Sequence, residues 1–133
     1  MSFEQGLFAY LSVYPGLNAL VGTRIYPVLL PQQATFPAVT YTRLATPRLH
    51  EFEASLLPHP TFQFDCWAID TAAQSGYEIA KDVATQVVAA LDIYRGAMGA
   101  YTVEASIVQS ERDGYDADTG IRHVMVDVEI WVV

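Results

Sequence analysis

The segment IRHVMVDVEIWVV (residues 121–133) alternates without a slip. Val124, Val126, Val128, Ile130 and Val132 fall on one side, and His123, Met125, Asp127, Glu129, Trp131 and Val133 on the other. A period of two over this length is a half-buried β-strand, because a helix would scatter the valines around its surface. TFQFDCWAID (61–70) repeats the pattern, with Phe62, Phe64, Cys66 and Ala68 against Gln63, Asp65, Trp67 and Ile69. Two such strands demand a sheet with one dry face and one polar face, and the dry face needs helices to cover it.

Those helices are legible. SGYEIAKDVATQVVAAL (75–91) carries Ala80, Val83, Ala84, Val87, Val88 and Leu91 at helical spacing, and Ser75 with Glu78 gives a capping box. Burying its stripe contributes about 1.5–3 kcal/mol per large aliphatic side chain before chain entropy is set against it. Residues 2–14 place Phe3, Leu7, Phe8 and Leu11 on one face, with Ser2 as cap and Pro15-Gly16 as stop; residues 17–21 read as a helical turn closed by Gly22. Two more strands are expected. AVTYTRL (38–44) sets Val39, Tyr41 and Arg43 against Ala38, Thr40, Thr42 and Leu44. AYTVEASIVQSE (100–111) sets Tyr101, Val103, Ala105 and Ile107 against Thr102, Glu104, Ser106 and Val108, and RDGYDADTG follows as a polar turn. The expected fold is one α+β domain over residues 1–133: an antiparallel or mixed sheet of about four main strands with helices packed on one face.

Between the short helical turn and the strand at 38 lies RIYPVLLPQQATFP (24–37), apolar yet broken by Pro27, Pro31 and Pro37. Proline has no N–H to give a ladder, so this span cannot be a central strand. It is expected to run extended along the surface, joining the sheet only after Pro37. Residues 46–60, with prolines near both ends, read as a long loop whose Leu49, Phe52, Leu56 and Leu57 need something to dock on.

Only 17% of residues are charged, against about 25% for an ordinary globular chain. Such a chain is short of charge to cover itself and is expected to bury surface against other subunits. The net charge is -8 with a single lysine, Lys81, which argues against nucleic-acid binding through phosphates. A lone Cys66 rules out an internal disulfide and suits a reducing compartment. The start, MSFEQGLFAYL, has Glu4 and no basic region, so no signal peptide is expected; no apolar run is long enough for a membrane helix.

No catalytic pattern emerges. His50, Glu51, Glu53 and His59 share a loop but lack metal-ligand spacing. Asp113, Asp116, Asp118 and Gly120 miss the calcium-loop pattern and its terminal glutamate. Cys66 faces inward and reads as inert, and neither a nucleophile elbow nor a phosphate loop is present. No cofactor, no metal and no enzymatic activity are expected. The polar face is more informative. Asp65, Trp67, Met125, Asp127, Glu129 and Trp131 share it if the strands pair, and two tryptophans on a solvated face point to assembly unless they lie flat on their own sheet.

ALVGTRIYPVLLPQQATFPAVTYTRL, FQFDCWAIDTAAQSGYEIAKDVATQVVAAL and the closing VMVDVEIWVV together resemble the tail-completion, or tail-terminator, family of long-tailed bacteriophages and gene transfer agents. The most specific part is Arg24, Ile25, Tyr26 and Pro27 followed by Pro31, Gln32 and Pro37. The resemblance implies an α+β subunit of a six-membered ring, made in the host cytoplasm and sitting at the head-proximal end of the virion tail. Such a ring stops tube growth and meets a head connector or stopper protein, and DNA passes through it without specific binding. Implied partners are identical subunits and the tail tube protein, with no membrane. Arg24, Tyr26, Val28, Leu29, Leu30, Gln32, Leu56, Leu57, Trp67 and Trp131 are candidates for subunit or tube contacts. Glu51, Glu53, Asp113, Asp116, Asp118, Asp127 and Glu129 are candidates for an acidic lumen. Two alternatives stand beside this: a head-completion or connector ring, and a small dimeric α+β ligand-binding domain or enzyme using His50, His59 or His123.

Overall fold

The computed structural model describes residues 2–46 and 59–132. The order is α1 (Phe3–Ser12), α2 (Pro15–Val21), β1 (Ile25–Pro27), β2 (Ala38–Ala45), β3 (Thr61–Ala68), α3 (Gly76–Leu91), β4 (Gly96–Met98), β5 (Tyr101–Tyr115) and β6 (Arg122–Val132). The six strands form one sheet in the order β1-β2-β3-β6-β5-β4. Pairing is antiparallel throughout except for β1, which runs parallel to β2. The expected α+β class holds: four main strands, two short edge strands, and all three helices on the face that carries Phe62, Phe64, Val126 and Val128.

The alternation in β3 and β6 survives intact. Phe62, Phe64, Cys66 and Ala68 are buried together with Val124, Val126, Val128, Ile130 and Val132. The α3 stripe packs on them through Ala80, Val83, Ala84, Val87 and Leu91, and α1 and α2 complete the core with Leu7, Leu11, Leu17 and Val21. Both long helices are capped by their expected serines, although α3 shows only the serine half of its capping box. Ser2 and Gln5 form a capping box at α1, and the Ser75 hydroxyl accepts from the Glu78 N–H at α3.

Four expectations need correction. The proline-rich span enters the sheet before Pro31 and Pro37, because Ile25, Tyr26 and Pro27 pair with Val39, Thr40 and Tyr41. The linking bonds run from Val39 N–H to the Arg24 carbonyl and from Val28 N–H to the Tyr41 carbonyl. Residues 24, 26 and 28 thus face β2, and the missing N–H of Pro27 points away from it, where it costs nothing. Second, AYTVEASIVQSE does not keep one phase. Register shifts at Val103/Ala105 and Val108/Ser110 mark bulges, each of which moves following side chains to the other face. Ser106 is therefore buried, whereas Ile107 is 51% exposed. Third, residues 112–115 are strand rather than turn, with Tyr115 directly opposite Arg122. Fourth, the two faces of β2 are not one dry and one wet: Ala38, Val39, Thr40 and Tyr41 are all buried. Short β4, which the glycines at 96 and 99 concealed, pairs with the start of β5.

Gly6 shows how closely α1 sits on β4. A Cβ at this position would lie 2.5 Å from the Met98 carbonyl oxygen and 3.0 Å from its carbon. Alanine in place of an interior helical glycine normally gains up to about 1 kcal/mol. Here Gly6→Ala is expected to lose about 1–3 kcal/mol, because backbone must move off backbone. A urea titration reads the result: the midpoint falls at constant m-value, and a rise would show that the contact is loose.

Candidate functional site

Three surfaces collect the residues that the sequence singles out. The first is the proline arm. Its base is tied into the domain. Arg24 donates from Nε to the Pro37 carbonyl (2.9 Å) and from Nη2 to the Leu20 carbonyl (3.3 Å), at the C-terminal end of α2. A cation suits that end of a helix, so Arg24 is spent as a staple between helix and arm. Ile25 is buried and Tyr26 half-buried. The tip is different. Val28 is 60% and Leu29 76% exposed, with Leu30 half-buried and Gln32 exposed beside them. Val28 and Gln33 have positive φ, 66° and 56°. A β-branched residue in the left-handed region is a strained outlier costing about 1–3 kcal/mol. Beneath the tip lies a hollow of about 280 Å³ lined by Glu4, Pro27, Val28, Tyr41, Thr42, Arg43 and Phe62. The Glu4–Arg43 ion pair (3.5 Å) crosses it from α1 to β2. Burial, and then the neighbouring Glu4 carboxylate, push the Tyr41 phenol above its ordinary pKa.

The second surface is the polar face of the sheet. Pairing of β3 with β6 brings Asp65, Trp67, Met125, Asp127, Glu129 and Trp131 together. Both tryptophans have partners within the chain. Trp67 Nε1 donates to Thr40 Oγ1 (2.9 Å), and its ring lies 4.4 Å from that of His123. Trp131 stacks on His59 at 4.2 Å. His59 Nδ1 is 3.4 Å from Glu129 Oε1, and Gln109 Nε2 donates to Glu129 Oε2 (2.7 Å). Asp127 accepts from Arg112 Nη2 (3.2 Å) and Ser110 Oγ (2.9 Å). Asp65 accepts from Gln63 Nε2 (3.0 Å), yet burial wins and its carboxyl sits above the ordinary range. His59 and His123 thus each cover a tryptophan on an open sheet and do not converge on a cleft. Cys66 lies behind this sheet with no exposed surface, and desolvation pushes its thiol far above the usual value.

The third surface is the far end of the β5–β6 hairpin. Tyr77 Oη donates to Asp113 Oδ2 (3.0 Å). The Arg122 guanidinium lies 4.4 Å over the Tyr115 ring and 3.7 Å from Asp70 Oδ2. Tyr77, Asp113, Gly114, Tyr115 and Arg122 wall a cleft of about 340 Å³. In the turn, Asp116 Oδ1 accepts the Asp118 N–H (3.0 Å), and that bond leads the lowering of its pKa. The cleft is absent from the sequence reading, because taking residues 112–120 for a turn hides the Tyr115–Arg122 pairing. The available signal was the spacing of two large side chains evenly about an Asp-rich turn.

His50, Glu51, Glu53, Leu56 and Leu57 lie outside the described residues. Among the described residues, no group of three or more His, Cys, Asp or Glu is placed to hold a metal, and no helix is long and apolar enough to cross a membrane.

No curated protein sequence matches the chain. Among solved structures, a chain of the "Virion of native gene transfer agent (GTA) particle" superposes with a TM-score of 0.69. The match has 17% identity and covers 95% of this chain and 90% of that one; at that identity the likeness is one of fold. The family model for "Tail completion protein gp17" matches residues 5–133, the whole sheet and nearly all of the helical layer. The chain belongs to the tail completion protein gp17 family and is a structural, non-enzymatic component of a virion tail.

Proposed function

We propose that six copies of this chain form a ring on the head-proximal end of the tail tube. The ring ends tube growth, joins the tail to the head connector and leaves a hole for DNA. The carrying observation is the arm: an apolar tip, Val28 and Leu29, stands in solvent on a base held by Arg24. A ring needs two different patches that fit each other and close after a fixed rotation. A tip preset by its prolines loses little entropy on meeting a neighbour, and the hollow beside it marks where apolar surface remains to be filled.

The polar face of the sheet is our candidate for the wall of the hole. It carries Asp65, Asp127 and Glu129 against one guanidinium, Arg112, so it stays negative even with Asp127 paired. Like charge keeps phosphate from lodging there. Trp67 and Trp131 then act as covers of their own sheet rather than as contacts.

Electron micrographs of particles lacking the protein test the reading. Tails of uncontrolled length are expected. Full-length tails beside unjoined heads would overturn the terminator role and favour a connector ring instead.

A further inference from the structure

The two ends of the sheet are built differently. At β1 the outer edge offers no N–H: Pro27 has none, and that of Ile25 is taken by the Thr23 carbonyl (2.8 Å). The Pro27 carbonyl is taken as well, by Leu29 N–H (2.7 Å). This end is closed against strand addition. At the other end β4 covers β5 only over Tyr101 to Val103. The segment after α3 protects two groups more, with Ile93 N–H bonding the Ser106 carbonyl (2.7 Å) and Asp92 Oδ1 accepting the Val108 N–H (3.2 Å). From Gln109 to Tyr115 no described strand lies alongside, although beyond the bulge at Gln109 the segment from Ser110 to Tyr115 is regular strand paired on its inner side to β6. Among the described residues its outward N–H and C=O groups have no strand to pair with and form an open ladder. The cleft between Tyr77 and Tyr115 opens beside this edge.

Backbone groups in a row with a side-chain pocket next to them are the two halves of strand-addition recognition. Charge selects the guest. Along the edge and its turn stand Glu111, Asp113, Asp116 and Asp118 against Arg112, whose guanidinium is already bound to Asp127. Another β5 edge would bring these carboxylates against their own copies, which is unfavourable. A second copy has no free basic strand to offer among the described residues. Arg24 holds two carbonyls, and Arg43, Arg95, Arg112 and Arg122 are each paired with a carboxylate. Lys81 sits on α3, over the Tyr77 ring.

We infer that the open edge of β5 over residues 109–115, with the Tyr77–Tyr115 cleft, docks an extended basic segment of a different virion protein. One apolar or aromatic side chain of that segment fills the cleft. This rests on the chain being a joint subunit, and it assigns the hairpin carboxylates to a protein partner rather than to the DNA hole.

The test uses intact particles carrying Gln109→Cys labelled with a maleimide benzophenone, since buried Cys66 does not compete for the label. Irradiation and mass spectrometry of the adduct are expected to identify a chain other than this one, at a stretch of about seven residues with net positive charge. Adding Asp116→Lys and Asp118→Lys is expected to cut the adduct about tenfold while copies per particle stay unchanged. Adducts to this chain alone, no adduct in particles with normal copy number, or an adduct indifferent to the lysines would each overturn the docking site and leave the ring reading standing. A copy number other than six in unmodified particles would instead count against the ring.

Discussion

Phe64→Ala is expected to destabilise the fold by about 3–5 kcal/mol, the range for truncating a buried aromatic. Phe64 sits at the middle of β3 with no exposed surface, opposite Tyr41 on β2 and Val126 on β6. Its ring lies 6.2 Å from that of Phe62, which in turn meets Phe3 of α1 at 5.9 Å. The vacated space is walled by central strands that cannot close in, so the cavity cost adds to the lost transfer energy. Domains of this size have only about 5–15 kcal/mol in total, and the variant should unfold at markedly lower urea. Ile107→Ala serves as the contrast. With Ile107 half out in solvent, its truncation should stay within about 0.5 kcal/mol. Equal losses for the two would mean that the bulges in β5 do not turn Ile107 away from the core.

Val28→Asp combined with Leu29→Asp is expected to leave the subunit folded and to abolish its incorporation into tails. Both side chains are largely exposed, so little core packing is lost. At φ 66° aspartate is better tolerated than valine, and the isolated fold should be unchanged or slightly more stable. At a subunit contact, two carboxylates without partners are costly to desolvate. A loss of about 2.7 kcal/mol per contact weakens association about 100-fold, and a closed ring repeats that loss at every junction. Copies per particle, counted by quantitative mass spectrometry, decide the matter. Incorporation at the normal level would remove the arm tip from the interface.

What was legible in the chain follows from how each element is stabilised. The strands β3 and β6 and helix α3 are specified by their own periodicity, because each lays one continuous face on the core; their existence, type and inward residues could be read directly. β1 was not legible, since three residues ending in proline carry no period and their partner, β2, lies beyond a further two prolines. β5 was legible as a strand but not in its facing, because a bulge is a backbone event with no side-chain signature in EASIVQ. Of the candidate surfaces, the arm was visible through its prolines, although Arg24 works within the domain. The tryptophans were visible as a pair, but only the fold shows that His59 and His123 cover them. The hairpin cleft required knowing that Tyr115 faces Arg122.

The closed edge at β1 also bears on what the protein does before it is needed. A fibre grows when every unit presents a sticky end at both extremes, each capturing the next. Here one extreme is sealed by Pro27 and by the local bonds of Ile25 and Leu29, so stacking of sheets has no way to propagate. Spare molecules can therefore accumulate without tangling before they are built into a virion tail.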